Sequence, residues 1–360
     1  MVWNDMRIAV IGAGNGGQAI SAYLSWQGAQ VNLYDYDPAK VAELNSGGNV
    51  IELCGQIEAK AEVHMISSDM ASVVNGTEML IITTTANAHR IVARQLSGLL
   101  QDGQVVILSP GRTGGALEFR RILEEEGSSA SVYVAEAQTL VYACRLVGNG
   151  KVNIIGVKDK VLLSALPASD TPYVLSCINK YYPCFVAADN VLRTSLENIG
   201  AIFHPTVLLF NAATVERQDE FWFYRDMTPQ VADFIERFDA ERLAVGKAYG
   251  IDLLGVSDWI SYAYPGTEGT TLCEKMKNNA AYRDIKSPST IFTRQLLEDI
   301  PTGVLPIMEL GKAAGLEMPL MSAMVEICSA LLNLDLKDGR TLSGLGLNGL
   351  SLEEILEKLS

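Results

Sequence analysis

The chain has 360 residues, 48% of them hydrophobic and 19% charged, and its 42 acidic and 28 basic residues give a formal net charge of −14. This length supports a large core and two domains, and the composition excludes a disordered chain, a collagen-like repeat and a small disulfide scaffold. The acidic balance disfavours a nucleic-acid binder, which needs a net basic face.

The start of the chain and its cysteines predict the compartment. The N-terminal residues include Asp5 and lead directly into a strand, which is not the pattern of a signal peptide. The six cysteines show no CxxC pair and no metal-ligand spacing. The apolar run 199–215 contains His204, Pro205 and Asn211 and is predicted to be a buried helix rather than a membrane span. We therefore expect a cytoplasmic protein with no metal site and neither a nucleic acid nor a membrane as partner.

The first predicted elements are a strand at 7–11, the glycine-rich turn GAGNGG, a helix, and a second strand that ends at Asp35. This succession is the full context of a dinucleotide-binding fingerprint. Gly12 permits the tight turn, Gly14 lets the backbone approach a pyrophosphate, and Gly17 lets the helix pack closely on the strand. The predicted cofactor-binding residues of this segment are Gly12, Ala13, Gly14, Asn15, Gly17 and Asp35.

Asp35 also predicts which dinucleotide binds. It is placed to accept hydrogen bonds from both ribose hydroxyls, and a 2′-phosphate there would meet like charge. Tyr36, Asp37 and Pro38 supply no arginine to receive such a phosphate. We expect NAD(H) rather than NADP. The alternative is a glycine-rich turn that holds no ligand.

Four further strand-like segments follow at the spacing of an α/β fold, at 79–89, 104–119, 131–145 and 152–167. They predict a parallel sheet with helices on both faces, and the last segment is expected to form a strand pair that closes the domain. Ligands of such sheets bind at the carboxyl ends of the strands. We therefore expect Thr84 and Pro110 to contact the cofactor, although each could equally lie in an ordinary loop.

The second half of the chain changes to long helical patterns, at 191–216, 229–249, 289–299, 302–315 and 318–334. The predicted division is a Rossmann-type domain at 1–187 and an all-helical domain at 188–360. The apolar character of 318–360 favours a homodimer.

His204 is the histidine most open to a chemical role. Gly200 and Ala201 lie one turn before it, so on a helix they would leave the imidazole uncovered. Pro205 removes a backbone donor and is expected to disturb the helix there. A buried histidine with its hydrogen bonds satisfied is an equally good interpretation.

Asp299 and Arg294 form a second candidate group, in the segment TRQLLEDIPTGVLP. A buried aspartate could orient an imidazole, and the arginine could bind a carboxylate through two hydrogen bonds. The alternatives are an aspartate at a helix end and a surface ion pair between Arg294 and Glu298. The spacing does not establish that these residues meet His204.

Over nearly its whole length the chain resembles the opine dehydrogenases, both the bacterial N-(1-carboxyethyl)-amino-acid enzymes and octopine dehydrogenase. The motifs that carry the resemblance are GAGNGGQAISAYL, SPGRTGGALEFRRIL, ENIGAIFHP, FDAERLAVGKAYG, NNAAYRDIKSP, TRQLLEDIPTGVLP and GRTLSGLGLNGLS. The resemblance implies a Rossmann domain followed by an all-helical domain, NADH as cofactor, and a histidine–aspartate catalytic pair that maps onto His204 and Asp299. It further implies substrate-binding roles for Arg294, Tyr282, Asn198 and, on the loop that starts at Pro110, Arg112.

The expected activity is the NADH-dependent reductive condensation of an L-amino acid with a 2-oxo acid such as pyruvate. Histidine, with an ordinary pKa of about 6.5, suits the proton transfers of such a reaction. One alternative is a 2-hydroxy-acid or ketopantoate-type dehydrogenase, whose relatives generally use a lysine that 190–205 lacks. Another is a non-catalytic NAD-binding sensor, which would have no need of the His204–Asp299 pair.

Overall fold

The computed structural model describes residues 6–360, and the chain divides into two compact units. The nucleotide unit runs to Ser195 and includes Lys358–Ser360, and the helical unit is Leu196–Glu357. The sequence-based boundary lies slightly earlier, at 187/188, and stays a prediction. Within the described residues no helix is both long enough and apolar enough to cross a membrane.

As far as residue 125 the nucleotide unit alternates strands and helices, except that three strands follow one another within 50–67. Its elements up to that point are β1 (Arg7–Ile11), α1 (Asn15–Trp26), β2 (Gln30–Tyr34), α2 (Pro38–Ser46), β3 (Val50–Gly55), β4 (Ala59–Glu62), β5 (Met65–Ser67), α3 (Met70–Val74), β6 (Met79–Ile82), α4 (Ala86–Leu96), β7 (Val105–Leu108) and α5 (Gly115–Glu125). The remaining elements are β8 (Tyr133–Ala137), β9 (Tyr142–Gly148), β10 (Lys151–Val157), β11 (Val161–Leu166), a 3₁₀ turn (Ala168–Asp170), α6 (Thr171–Ile178), β12 (Phe185–Ala187) and α7 (Val191–Leu196).

Eight strands form one sheet in the order β12-β11-β8-β7-β6-β1-β2-β5. The six strands from β8 to β5 are parallel, while β11 pairs antiparallel with β8 and parallel with β12. Strands β6 and β7 are apolar and buried along their length, and so is β1 after the exposed Arg7, as expected where helices cover both faces of a parallel sheet. The strand order reverses between β1 and β6, so a ligand-binding crevice is expected at the carboxyl ends of these two strands.

A second, four-stranded sheet has the order β4-β3-β10-β9 and packs on α1. The prediction that 152–167 forms a strand pair was therefore wrong, because β10 pairs with β3 and β9 whereas β11 belongs to the large sheet. Likewise 131–145 supplies one strand to each sheet. Sequence spacing could not reveal this, since β8 and β9, like β10 and β11, are simply consecutive apolar runs in the sequence.

The helical unit contains α8 (Gly200–Phe210), α9 (Ala212–Glu216), α10 (Pro229–Ala248), α11 (Val256–Ala263), α12 (Leu272–Asn278), α13 (Arg294–Leu297), a π-helical turn (Ile300–Val304), α14 (Leu305–Ala313), α15 (Pro319–Leu332) and most of α16 (Leu352–Leu359). Helix α8 packs against α10, α13, α15 and the π-helical turn. The helix that carries His204 thus contacts several elements of this unit that are distant from it in the chain.

Two helix predictions were wrong in detail. The run 191–216 is divided among α7, α8 and α9, and α8 continues through Pro205 instead of being disturbed there. The run 289–299 contains only the short α13, after which the chain widens into the π-helical turn that contains Pro301. A proline has no N–H to donate to a carbonyl one turn back, which favours such a local change of helix type.

Candidate active site

The glycine loop follows β1 and leads into α1. Gly12 has a φ of 107°, a left-handed conformation that disfavours any other residue. A Cβ on Gly17 would lie 1.7 Å from the carbonyl oxygen of Gly12, so only glycine permits this contact between helix and strand. A Cβ on Gly14 would have no neighbouring atom of the described chain within 4 Å. The loop is thus closely packed at Gly17 and open at Gly14.

The side chain of Asp35, at the end of β2, is buried and organises this loop. Its Oδ2 accepts hydrogen bonds from the Ala13 N–H at 2.8 Å and from Lys40 Nζ at 3.0 Å, and its Oδ1 accepts one from the Asp37 N–H at 3.1 Å. Sequence reasoning missed Lys40, which brings a cation to the end of β2. The Asn15 side chain is engaged by β9, where its Oδ1 accepts a hydrogen bond from the Leu146 N–H.

These residues fit a dinucleotide. In the described chain no side chain caps the N-terminus of α1, so the first turn of the helix presents its positive end to the space beside Gly14. Thr84 lies at the end of β6 beside Gly12, and its buried Oγ1 has no hydrogen-bond partner among the described residues. An uncapped helix end, an open glycine and an unsatisfied hydroxyl together match the phosphate groups of NAD.

A second loop, 109–114, follows β7 and is held by Glu136 at the end of β8. The buried Glu136 carboxylate accepts hydrogen bonds from Thr194 Oγ1 at 2.6 Å, from Ser195 Oγ at 2.8 Å and from the Ala116 N–H at 2.8 Å. Ser195 Oγ in turn accepts a hydrogen bond from the Gly114 N–H. Pro110 begins this loop, and Arg112 lies on it with a φ of 60°.

In the helical unit, His204 and Asp299 meet although they are 95 residues apart in the chain. His204 Nδ1 lies 2.6 Å from Asp299 Oδ2, and the Asp299 side chain is inaccessible to solvent whereas 26% of the His204 side chain is exposed. A carboxylate can only accept, so Nδ1 carries the shared proton and Nε2 remains for proton exchange. This geometry suits a general acid–base whose tautomer is fixed by its neighbour.

The π-helical turn places Asp299 against α8. A Cβ on Gly303 would lie 2.6 Å from the Ala201 Cβ and 3.2 Å from Asn198 Nδ2, so the turn packs directly on the start of α8. The small side chain of Ala201 thus makes room for this turn. The buried Asn198 lies at the same contact.

Arg294 forms the ion pair that was one of the sequence alternatives, with its Nε 3.1 Å from Glu298 Oε2. Its side chain is 56% exposed, whereas that of Glu298 is buried. Since the described chain engages this guanidinium through Nε alone, its two terminal nitrogens are available for a planar, two-pronged contact with a carboxylate. The ion pair and a substrate-binding role are therefore compatible.

A cluster of aromatic rings adjoins the His204–Asp299 pair. The Tyr224 ring lies 6.5 Å from the His204 ring and stacks on Tyr282 at 4.5 Å, while the hydroxyls of Tyr282 and Tyr264 are 3.1 Å apart. Burial and then the Asp299 carboxylate raise the pKa of the Tyr224 phenol, and Arg294 partly opposes this. Burial also raises the pKa of the Tyr282 phenol.

Within the helical unit the structure thus brings together the residues predicted there, namely His204, Asp299, Arg294, Tyr282 and Asn198. The nucleotide unit brings together Gly12, Ala13, Gly14, Asn15, Gly17, Asp35 and Thr84, with Pro110 and Arg112 on the neighbouring loop.

Sequence reasoning missed Tyr224 and Tyr264. The aromatic run FWFYRD could have drawn attention to Tyr224, but no local pattern connects it to a histidine on another helix. Among residues 6–360 no cluster of histidine, cysteine and acidic side chains could hold a metal ion.

Comparisons with known proteins agree with this geometry. A family model described as "NAD/NADP octopine/nopaline dehydrogenase, alpha-helical domain" matches residues 187–332, and one described as "NAD-dependent glycerol-3-phosphate dehydrogenase N-terminus" matches residues 7–135. An opine dehydrogenase of Arthrobacter sp. (strain 1C) is 36% identical over 95% of this chain and 96% of its own length. Solved structures of octopine dehydrogenase with NADH and L-arginine, and with NADH and pyruvate, superpose with TM-scores of 0.84 and 0.81 at 22% and 21% identity, each over 98% of both chains.

Proposed function

The chain belongs to the opine dehydrogenase family of NAD(P)-dependent oxidoreductases, and we propose that it condenses an L-amino acid with a 2-oxo acid such as pyruvate and reduces the imine to an N-(1-carboxyalkyl) amino acid. NAD(H) is its cofactor, in accord with the NADH named for octopine dehydrogenase. The observation that carries the proposal is the 2.6 Å contact between His204 Nδ1 and Asp299 Oδ2. The fold of the helical unit by itself would not require this contact.

The nucleotide unit holds the cofactor. Gly12, Gly14 and Gly17 shape the loop for the pyrophosphate, and Asp35 receives the adenosine ribose. Ala13 ties the loop to Asp35 through its N–H, Asn15 offers its backbone N–H at the start of α1, and the Thr84 hydroxyl and Pro110 complete the binding surface. When bound, NADH supplies the hydride that reduces the carbon–nitrogen double bond.

His204 handles the protons of the reaction. Loss of water from the carbinolamine needs a proton at the leaving oxygen, and reduction of the imine needs a proton at its nitrogen. Nε2 of His204 takes a proton from the substrate ammonium and delivers it to the leaving oxygen, since Nδ1 is occupied by Asp299. The proton at the nitrogen is the N–H that the amine keeps when water leaves. Asp299 itself transfers no proton. Its role is to orient the imidazole ring and to stabilise the positive charge on the ring when His204 is protonated.

Arg294 binds a substrate carboxylate through its terminal nitrogens while Glu298 holds Nε. Tyr282 and Asn198 border the same site, Tyr282 through the ring cluster and Asn198 beside the π-helical turn. On the nucleotide unit, Arg112 offers a further cation from the loop after β7. The chain's charge of −14 gives anionic substrates no long-range attraction, so these local cations must bind them.

The test is NADH oxidation with pyruvate in the presence and absence of a panel of L-amino acids, with NADPH in parallel. We expect oxidation only when both the oxo acid and an amine are present. His204→Asn should keep NADH binding and reduce turnover about 10²–10⁴-fold, whereas His64→Ala, at an exposed surface position, should act like the wild type. Oxidation with the oxo acid alone would replace this proposal with a hydroxy-acid dehydrogenase.

We further propose that the chain forms a homodimer through its C-terminal region, 318–360. Ile327 and Leu331 on α15, and Leu334 beyond it, are 51%, 41% and 45% exposed, which is unusual for side chains of this type on one helix surface. Analytical ultracentrifugation of the wild type and of Ile327→Glu tests this. A wild-type monomer at micromolar concentration would contradict it.

A further inference from the structure

The π-helical turn that follows Asp299 cannot supply all of its own hydrogen bonds. In a helix the carbonyl of Pro301 would accept from the N–H of residue 305 in an α register, or of residue 306 in a π register. The Leu305 N–H donates instead to the Ile300 carbonyl, and residue 306 is a proline, which has no N–H. The buried Pro301 therefore needs a donor from another part of the chain.

That donor comes from the loop 339–342, named here the support loop, which is distant from the turn in sequence. The Arg340 N–H donates to the Pro301 carbonyl at 2.9 Å. A Cβ on Gly339 would lie 2.3 Å from the same carbonyl oxygen and 2.8 Å from the Pro301 Cα, so the two backbones are in direct contact. Only glycine at position 339 permits this approach.

The support loop is itself fixed in the core of the helical unit. Arg340 is inaccessible to solvent, which is rare for an arginine, and Leu345 and Leu347 just after the loop are also fully buried. The Leu345 N–H donates to the Thr341 carbonyl at 2.9 Å, and the Leu347 N–H donates to the Leu342 carbonyl at 2.8 Å. Buried, hydrogen-bonded backbone of this kind opens seldom, so the loop is a firm support for Pro301.

The turn makes a second close contact, with the helix that carries His204. A Cβ on Gly303 would lie 2.6 Å from the Ala201 Cβ, so the turn has no room to move toward α8. Asp299 immediately precedes the turn, and its Oδ2 lies 2.6 Å from His204 Nδ1. A displacement of about 1 Å would lengthen this contact beyond the range of a hydrogen bond.

We propose that Gly339 and Arg340 are positioning residues, which hold Asp299 at hydrogen-bond distance from His204 by supplying the Pro301 carbonyl with its missing donor. Both act through Asp299. The consequence for turnover rests on the proposed function, whereas the position of Asp299 follows from packing within the helical unit. The motif GRTLSGLGLNGLS, at 339–351, thereby gains a role in the reaction.

The test compares Gly339→Ala with Gly246→Ala, a matched control for loss of stability. Both substitutions add a Cβ at a crowded position of the helical unit, 2.3 Å from the Pro301 oxygen in one case and 2.5 Å from the Leu253 Cδ1 in the other. Gly246 lies on α10 and contacts the segment 251–253, so its substitution disturbs the packing without a listed contact on the π-helical turn.

The readout is the proton NMR signal of the hydrogen that His204 Nδ1 shares with Asp299. A proton in so short a charge-assisted hydrogen bond resonates far downfield, and His204→Asn identifies the signal by removing it. We expect Gly339→Ala to move the signal upfield or abolish it. It should also lower kcat about tenfold, as expected for loss of a charge-assisted hydrogen bond, with the KM for NADH unchanged.

Gly246→Ala should lower the melting temperature but keep both the signal and kcat. A folded Gly339→Ala protein with the wild-type signal would refute the positioning role. The NMR measurement needs no substrate. A wild type that shows the signal but oxidises no NADH with pyruvate and any amine would therefore refute the proposed function and leave the positioning of Asp299 intact.

A second measurement uses the wild type alone and so remains decisive if Gly339→Ala does not fold. Native-state hydrogen exchange compares the amide of Arg340 with that of Leu305, which donates within the turn. If the loop supports the turn, both amides should be equally protected after correction for their intrinsic rates. Exchange of the Arg340 amide more than about a hundredfold faster than that of Leu305 would show that the loop opens while the turn stays closed, and would overturn the proposal.

Discussion

The charge-assisted hydrogen bond between Asp299 and His204 can be tested by replacing Asp299 with asparagine, which keeps the shape of the side chain and removes its charge. A hydrogen bond to a charged group contributes about 1.5–3 kcal/mol and a neutral one about 0.5–1.5 kcal/mol. The substitution should therefore remove about 1–1.5 kcal/mol of transition-state stabilisation, or roughly a tenfold decrease in kcat. The bond is 2.6 Å long and Asp299 is fully buried, so solvent cannot replace the lost charge.

The assay is a double-mutant cycle of Asp299→Asn and His204→Asn, measured as kcat with NADH, pyruvate and the best amine. His204→Asn keeps a donor toward Asp299 but has no group that exchanges protons near neutral pH, so the buried carboxylate stays partnered. If Asp299 acts only through the imidazole, the double variant should be no slower than His204→Asn alone. NADH affinity should be unchanged in all three variants. A further tenfold loss in the double variant would refute the dependence of Asp299 on His204.

Two other perturbations have defined outcomes, one in the glycine loop and one at Glu136. Gly14→Ala should fold normally but bind NADH at least tenfold more weakly, since its Cβ would occupy only the space proposed for the pyrophosphate. Gly17→Ala, whose Cβ would overlap a backbone oxygen, should lower the melting temperature as well. A normal melting temperature for Gly17→Ala would contradict the close packing at this position. Glu136→Gln should lower the free energy of unfolding by about 1–3 kcal/mol in urea titrations, because the glutamine NH₂ would face one of the groups that donate a hydrogen bond to the carboxylate. An unchanged unfolding midpoint would exclude a stabilising role for this network.

The class of fold was predictable because its signals are local. A glycine-rich turn between a buried strand and a helix is read from about 30 neighbouring residues, and the structure confirms the parallel nucleotide sheet and the helical second half. Helix α10 was predicted within a residue of its observed bounds, because its helical pattern is a local sequence feature. The resemblance to opine dehydrogenases, confirmed by the comparisons, added the pairing of His204 with Asp299, which spacing alone left open.

The errors arose where the pairing of elements is not local. Strands β10 and β11 are consecutive in the chain but belong to different sheets, and nothing in their apolar patterns distinguishes the two partners. The π-helical turn was predicted only as a junction between helices at 289–299 and 302–315, although its shape is what brings Asp299 onto α8. In both cases packing against distant segments decided between local alternatives of similar energy.

The sequence by itself therefore determined the nucleotide-binding loop, the fold class and the types of residue available for catalysis. Tertiary structure alone decided the length of the His204–Asp299 contact, the position of Tyr224 beside it, and the hydrogen bonds that Glu136 accepts from Thr194, Ser195 and Ala116. The physical reason is that a motif is specified by the backbone conformations of adjacent residues. Distances between side chains far apart in sequence, and the desolvation that shifts their pKa values, depend on how the whole chain packs.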